Sequence, residues 1–114
     1  MEETIFDKII AGDIPADVVY RNEHVIAFRD INPQAPVHVL VVPLTRMASL
    51  AEASTQTPET LGNFLKGISV IAREQGLEDN GYRVVFNTGR DALQTVQYVH
   101  AHILGGRTMG WPPG

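Results

Sequence analysis

The chain has 114 residues, which suits a single domain, and its formal net charge is −4 with no basic cluster. A surface for nucleic acid needs clustered lysine and arginine, so we expect no nucleic-acid partner. The sequence contains no cysteine, which excludes disulfides and thiolate metal sites. We recognise no secretory signal and no apolar run long enough to span a bilayer, and therefore predict a soluble, cytoplasmic protein without a membrane partner.

The N-terminal part of the chain favours a short helix followed by three strands. Thr4 is a candidate cap for the helix, and a Gly-Asp-Ile-Pro turn at residues 12–15 ends it. The third strand is apolar on both faces, which is typical of a central strand. The predicted elements are a helix over residues 5–10 and strands over residues 17–21, 25–30 and 37–43.

The best-defined helix lies in the middle of the chain. Thr57 is its candidate N-cap, Pro58 occupies the first helical position, and Gly76 ends it. The remaining predicted elements are a short helix over residues 47–53 and strands over residues 82–87 and from Gln94 to the Gly105-Gly106 pair. The pattern predicts an α+β fold over residues 1–114, with a largely antiparallel sheet of about five strands, one long helix and one short helix.

The last predicted strand holds His100 and His102, two of the four histidines. Side chains two apart on a strand project from the same face, so we expect the two rings side by side. Such a pair can bind a metal, hold an anion or divide the roles of nucleophile and acid; it can also lie on a solvated edge. His38 interrupts an apolar strand, and its ring needs a partner such as a backbone carbonyl. His24, in a turn, is expected to be solvated.

Several common site motifs are absent, including the phosphate-binding loop, the dinucleotide fingerprint and the nucleophile elbow. The polar side chains that remain near strand ends or in loops are His38, His100, His102, Asn87, Thr95 and Asp30.

The segment from Gln94 to Arg107 resembles the signature of the histidine triad superfamily of nucleotide hydrolases and transferases, and most closely its Hint branch of purine nucleoside phosphoramidases. In the family pattern three histidines alternate with apolar residues. Here Tyr98 holds the first position, His100 the middle one and His102 the third. Leu93 stands where the Hint branch has a small glycine. The resemblance extends to residues 4–10, 14–16, 28–38, 81–83, 87, 94–96, 104–107 and 111–114.

The resemblance implies hydrolysis of the P–N bond of a purine nucleoside 5′-phosphoramidate through a nucleotidyl-His100 intermediate, with neither cofactor nor metal. A neutral imidazole is a suitable nucleophile near neutral pH. The catalytic residues implied are His100, His102, His38 and Thr95. The nucleotide-binding residues implied are Ile5, Phe6, Ile9, Phe28 and Ile31 around the base, Asp30 at the ribose, Asn87 and His102 at the phosphate, Thr95 in support of the leaving group, and Gln94.

The resemblance further implies a homodimer in which two sheets join, with Trp111 in the C-terminal tail near the partner's site. Two alternatives stay open at this point. Because Tyr98 replaces the first histidine, the chain could be a dimeric purine-nucleotide-binding or interaction protein with weak or no turnover. Three imidazoles, those of His38, His100 and His102, could instead form a zinc site.

Overall fold

The structure, a computed structural model, describes residues 2–114 and is organised on one five-stranded antiparallel sheet with strand order β1-β2-β3-β5-β4. This confirms the predicted α+β class. The helices are α1 (Ile5–Ala11) and α2 (Pro58–Glu74), and the strands are β1 (Val18–Arg21), β2 (Val25–Arg29), β3 (Val37–Pro43), β4 (Tyr82–Val85) and β5 (Ala101–Gly105). Within residues 2–114, no helix has both the length and the apolar character that crossing a membrane requires.

Helix α1 begins and ends where the sequence predicts. The Thr4 hydroxyl accepts from the backbone N–H of Asp7, and the Asp7 carboxylate accepts from the backbone N–H of Thr4 at 2.7 Å. This reciprocal capping box satisfies backbone donors that a helix start leaves unpaired. Gly12 ends the helix in the left-handed conformation at φ 80°, where a glycine costs little.

Helix α2 covers the sheet with its apolar stripe, and the predicted cap is present, since the Thr57 side chain accepts from the Thr60 N–H. Phe64, Ile68 and Ile71 are its large buried residues. The strands β2 and β3 are buried along almost their whole length, and β3 is central as predicted. The core therefore lies between α2 and the middle of the sheet.

Strand β5 lies between β3 and β4, so residues far apart in sequence become neighbours. His38 on β3 is in register with Leu104 on β5, and Leu40 is in register with His102. The strand ends at a glycine pair: a side chain on Gly105 would meet Leu77, and Gly106 has a φ of 90°. This register brings His38 and His102 together.

Three element predictions need correction. The segment predicted as a helix over residues 47–53 forms a 3₁₀ helix over Leu50–Thr55 instead, and β4 is two residues shorter than predicted. The strand expected to begin at Gln94 begins only at Ala101. Residues 94–100 bind the loop after β3 rather than a neighbouring strand, because the Gln94 amide donates to the Ala48 carbonyl and the Val99 N–H donates to the Met47 carbonyl.

Candidate active site

Three imidazoles lie in a row across β3 and β5. The ring centroids of His100 and His102 are 5.1 Å apart, and those of His102 and His38 are 5.2 Å apart. His100 precedes β5 by one residue, so its ring stands beside that of His102, although the strand is shorter than predicted. The row places the ring of His100, the candidate nucleophile, next to that of His102, which in turn lies next to that of His38.

The hydrogen bond of His100 fixes its tautomer. Its Nδ1 lies 2.7 Å from the carbonyl oxygen of Tyr98, which can only accept, so Nδ1 carries the proton. In the neutral ring, Nε2 then keeps its lone pair. The ring is buried and packs against the edge of Phe6, with centroids 4.9 Å apart. His100 therefore has the geometry of a neutral nucleophile.

The opposite tautomer is set for His102 through His38. The backbone N–H of Gln34 donates to His38 Nδ1 at 3.0 Å, so the proton of the neutral His38 ring is on Nε2. His38 Nε2 lies 2.9 Å from His102 Nδ1 and donates to it. The remaining proton of His102 is therefore on Nε2, where it is available as a donor. The expected carbonyl partner of His38 is wrong, because a backbone amide and an imidazole take that place.

The local electrostatics favour neutral rings. Burial lowers the pKa of His102 to about 4; the neighbouring His100 and His38 act in the same direction, while Asp30 opposes them. Burial also lowers the pKa of His38, and Asp30 again opposes the shift. The Asp30 carboxylate lies 3.4 Å from His38 Nε2 and accepts from the Asn32 N–H at 2.8 Å. At neutral pH the rings of His38 and His102 are thus neutral and joined by one hydrogen bond, with the Asp30 carboxylate beside His38.

A cavity of about 440 Å³ lies between α1 and the C-terminal end of β2, and two of its lining residues, Phe6 and Asp30, approach His100 and His38. It is lined by all six residues predicted for the base and the ribose, Ile5, Phe6, Ile9, Phe28, Asp30 and Ile31. Ile31 is fully exposed at its rim, which leaves an apolar side chain free to cover a ligand. The lining is mainly apolar and also contains Asp17, Arg29 and Asp30, and a mainly apolar cavity with a few charged groups is typical of a small-molecule site.

The fold agrees with the comparison with known families, in which the HIT domain matches residues 11–109. The chain belongs to the HIT family. It is 53% identical over 113 residues to a 14 kDa zinc-binding protein of Zea mays, covering 97% of this chain and 88% of that protein. It is 43% identical over 109 residues to a purine nucleoside phosphoramidase of Escherichia coli strain K12, covering 96% of this chain and 92% of that protein.

A solved structure gives the same result for the fold. The crystal structure of a HIT family hydrolase from Legionella pneumophila Philadelphia 1 superposes with a TM-score of 0.93 at 43% sequence identity, covering 98% of this chain and all of that one. Relatives of this kind support a hydrolase of the HIT family.

Three other residues of the predicted nucleotide site lie outside the strands β3 and β5, two of them before β5 and one after β4. Gln94 uses its amide to hold its own loop, accepting from the Gly89 N–H and donating to the Ala48 carbonyl. Thr95 is exposed and lines a different cavity, of about 560 Å³, which shares Ile5 with the first. Asn87 is half-buried two residues beyond β4. Their roles in nucleotide binding and catalysis stay predictions.

Sequence reasoning missed some of the lining and misjudged the metal-compatible group. Leu40 lines the cavity, and its signal was the two-residue alternation that places it on the same strand face as His38. In the described part of the chain, the group whose ligand atoms lie within 4.8 Å of one another is Asp30, His38 and His102. His100 is outside this group, so the metal-compatible group in the structure differs from the three imidazoles considered from the sequence.

Proposed function

We propose that this HIT protein hydrolyses the P–N bond of purine nucleoside 5′-phosphoramidates, such as adenosine 5′-phosphoramidate, through a nucleotidyl-His100 intermediate. The observation that carries the proposal is the bond from His100 Nδ1 to the Tyr98 carbonyl, because it leaves Nε2 unprotonated on a buried, oriented ring. Similarity to the Escherichia coli protein named purine nucleoside phosphoramidase supports the substrate class.

The reaction has two displacements at the α-phosphorus. First, His100 Nε2 bonds to phosphorus while the P–N bond breaks, and the leaving nitrogen takes up a proton from solvent to depart as an amine. Water then bonds to the same phosphorus, gives a proton to solvent, and returns the lone pair to Nε2 as the nucleoside monophosphate leaves. His102 Nε2–H and Asn87 would stabilise the phosphate oxygens, and Thr95 would support the leaving group.

The cavity between α1 and β2 would hold the nucleoside. Its apolar lining suits a purine ring, and the Asp30 carboxylate at one end suits the ribose hydroxyls, which donate hydrogen bonds. His38 would act through His102, because its Nε2–H fixes the tautomer that presents the His102 donor.

The experiment compares two histidine variants in turnover of adenosine 5′-phosphoramidate. We expect His100→Ala to lower kcat by at least about 10³-fold, since a nucleophile is lost. His24→Ala is the matched control, because His24 is an exposed turn residue, and it should leave the rate unchanged. Acid-quenched mass spectrometry should find an adenylyl adduct on the peptide containing His100. Undiminished turnover in His100→Ala would contradict the assignment, and AMP binding with neither turnover nor adduct would indicate a nucleotide-binding protein instead.

The active form proposed is a homodimer in which β4 of each protomer extends the sheet. Strand β4 is at the sheet edge and exposes Tyr82 and Val84. Trp111 is 83% exposed within the protomer, with the Arg83 guanidinium 5.9 Å from its ring. Exposed strand edges and large aromatic side chains are typical of protein interfaces, which supports a second copy at this edge with Trp111 near its site.

Zinc binding is a second candidate, favoured by the grouping of Asp30, His38 and His102. Imidazole nitrogen and carboxylate oxygen are ordinary zinc ligands, so the donor set fits the ion. His38 would use Nε2, since its Nδ1 accepts from the Gln34 N–H. The relative from Zea mays is named a zinc-binding protein. A zinc ion held there would supply positive charge next to the phosphate position.

Titration calorimetry with Zn²⁺ tests this candidate against the arrangement expected from the sequence. Wild type and His100→Ala should bind zinc alike, whereas His38→Asn should lose most of the affinity. Absence of stoichiometric zinc binding by wild type would reject the candidate. Equal loss in His100→Ala would favour a site of three imidazoles.

A further inference from the structure

Tyr98 is at the position where the histidine triad pattern has its first histidine. Both its side-chain hydroxyl and its backbone carbonyl form hydrogen bonds. It is 2% exposed, and its hydroxyl donates to the carbonyl of Pro43, the last residue of β3, at 2.7 Å. Burial raises the pKa of this hydroxyl to about 12, so it keeps its proton and remains a donor. Its own backbone carbonyl accepts from His100 Nδ1.

The face of the Tyr98 ring is held by a second anchor that leads to α1. The Arg46 guanidinium lies 5.1 Å from the ring centroid, at the distance of a cation–π contact. Arg46 also donates two hydrogen bonds to the Asp7 carboxylate, at 3.0 and 3.1 Å. Phe6, next to Asp7 in α1, packs against both His100 and Tyr98, with ring centroids 4.9 and 6.4 Å away. The same small cluster therefore contacts Tyr98 and the ring of the nucleophile.

We propose that Tyr98 is a positioning residue for the reaction. Its side chain, held by Pro43 and Arg46, fixes the peptide whose carbonyl keeps His100 in one orientation and one tautomer. An imidazole is shorter than a phenol, so a histidine on the same backbone would not reach the Pro43 carbonyl. Tyr98 thus replaces the first histidine as a residue that orients His100, with contacts of its own to Pro43 and Arg46. It is not a substitution that impairs the site. This inference rests on the proposed function for its kinetic readout, but its structural readout is independent.

The first test is Tyr98→Phe, which keeps the ring and removes only the hydroxyl. We expect kcat for adenosine 5′-phosphoramidate to fall by about tenfold, with KM within about twofold, because the loss affects the orientation of the nucleophile rather than binding. Long-range ¹H–¹⁵N NMR of the histidine rings, at mildly alkaline pH, should show one tautomer of His100 in wild type and a mixture in the variant. Unchanged kcat together with an unchanged His100 tautomer would overturn the proposal.

Two further variants separate positioning from general stability. Ile71→Val trims a buried core residue on α2, away from the cluster, and should lower the melting temperature without changing kcat or the His100 tautomer. Tyr98→His should lower kcat or leave it unchanged; a large gain would show that the position is a damaged one and overturn the inference. If wild type turns over no phosphoramidate, the proposed function fails, and the NMR comparison still decides the role of Tyr98.

Discussion

Two backbone groups, one carbonyl and one amide, give the neighbouring rings of His100 and His102 opposite tautomers. The Tyr98 carbonyl accepts a hydrogen bond from the Nδ1–H of His100. In the neutral ring this arrangement leaves a lone pair on Nε2. The Gln34 N–H, acting through His38, leaves His102 with its proton on Nε2. In their neutral forms, a ring whose Nε2 carries a lone pair and a ring whose Nε2 carries a proton thus stand side by side.

Asp30 carries the first residue-scale prediction, that it binds the ribose. Asp30→Asn keeps an oxygen for the Asn32 N–H but loses the charge, so kcat/KM for adenosine 5′-phosphoramidate should fall by about 10- to 100-fold. With wild type, replacing the substrate by its 2′,3′-dideoxy analogue should lower kcat/KM by the same factor. With Asp30→Asn, the same replacement should lower kcat/KM no further. Steady-state kinetics on both substrates measures this coupling.

Asp17→Asn is the matched control for Asp30, because Asp17 lines the same cavity but pairs with the exposed Arg29. It should change neither substrate's kinetics. If the dideoxy substrate loses rate equally with wild type and Asp30→Asn, the carboxylate does not contact the ribose.

At this scale the sequence predicts which side chains meet but not their protonation. The two-residue spacing of His100 and His102 predicts adjacent rings, and they are adjacent. The tautomers of His38 and His102 depend on Gln34, whose N–H reaches His38 only because the loop before β3 folds back. No spacing rule contains that contact, so the partner of His38 could not be predicted.

At the scale of elements, helix α1 is fastened to the loop after β3 by the Asp7–Arg46 pair. Through Phe6 the helix also contacts His100, so its attachment bears on the site.

Strand β5 shows the limit of pattern reasoning. Residues 94–100 have strand-like composition, but the bonds of Gln94 and Val99 to the loop at Met47 and Ala48 replace ladder pairing.

The Asp7–Arg46 pair predicts an acid-dependent part of the stability. The side-chain hydrogen bond from Arg46 lowers the pKa of Asp7 to about 2 from its ordinary 3.8. A carboxyl with a lowered pKa stabilises the fold above its unfolded pKa, and this contribution is lost as the pH falls through the folded value. Urea unfolding should show wild type more stable than Asp7→Asn by about 1–2 kcal/mol near neutral pH, with the difference vanishing towards pH 2.

Asp91→Asn is the control for this measurement, because the Asp91–Arg90 pair is almost fully exposed. Its stability should stay within a few tenths of a kcal/mol of wild type across the same range. A difference between wild type and Asp7→Asn that persists unchanged at low pH would contradict the assignment to ionised Asp7.

The whole molecule has two sheet edges, and they differ in what surrounds them. Strand β1 is one edge and β4 the other. Arg83 on β4 lies beside the exposed Trp111 and donates to the Gly110 carbonyl, so the C-terminal tail runs next to this edge. The tail and the exposed apolar side chains of β4 together favour β4 over β1 as the place where a second copy pairs.

The last prediction is therefore that one edge, and not the other, controls the oligomeric state. Val84 on β4 and Val18 on β1 are 37% and 46% exposed, which makes them matched positions. Val84→Lys should convert the dimer to a monomer in light scattering after gel filtration, because a charge would be buried where two strands meet. Val18→Lys should leave the dimer intact. A monomeric wild type at micromolar concentration, or a dimer that survives in Val84→Lys, would show that β4 is not the interface.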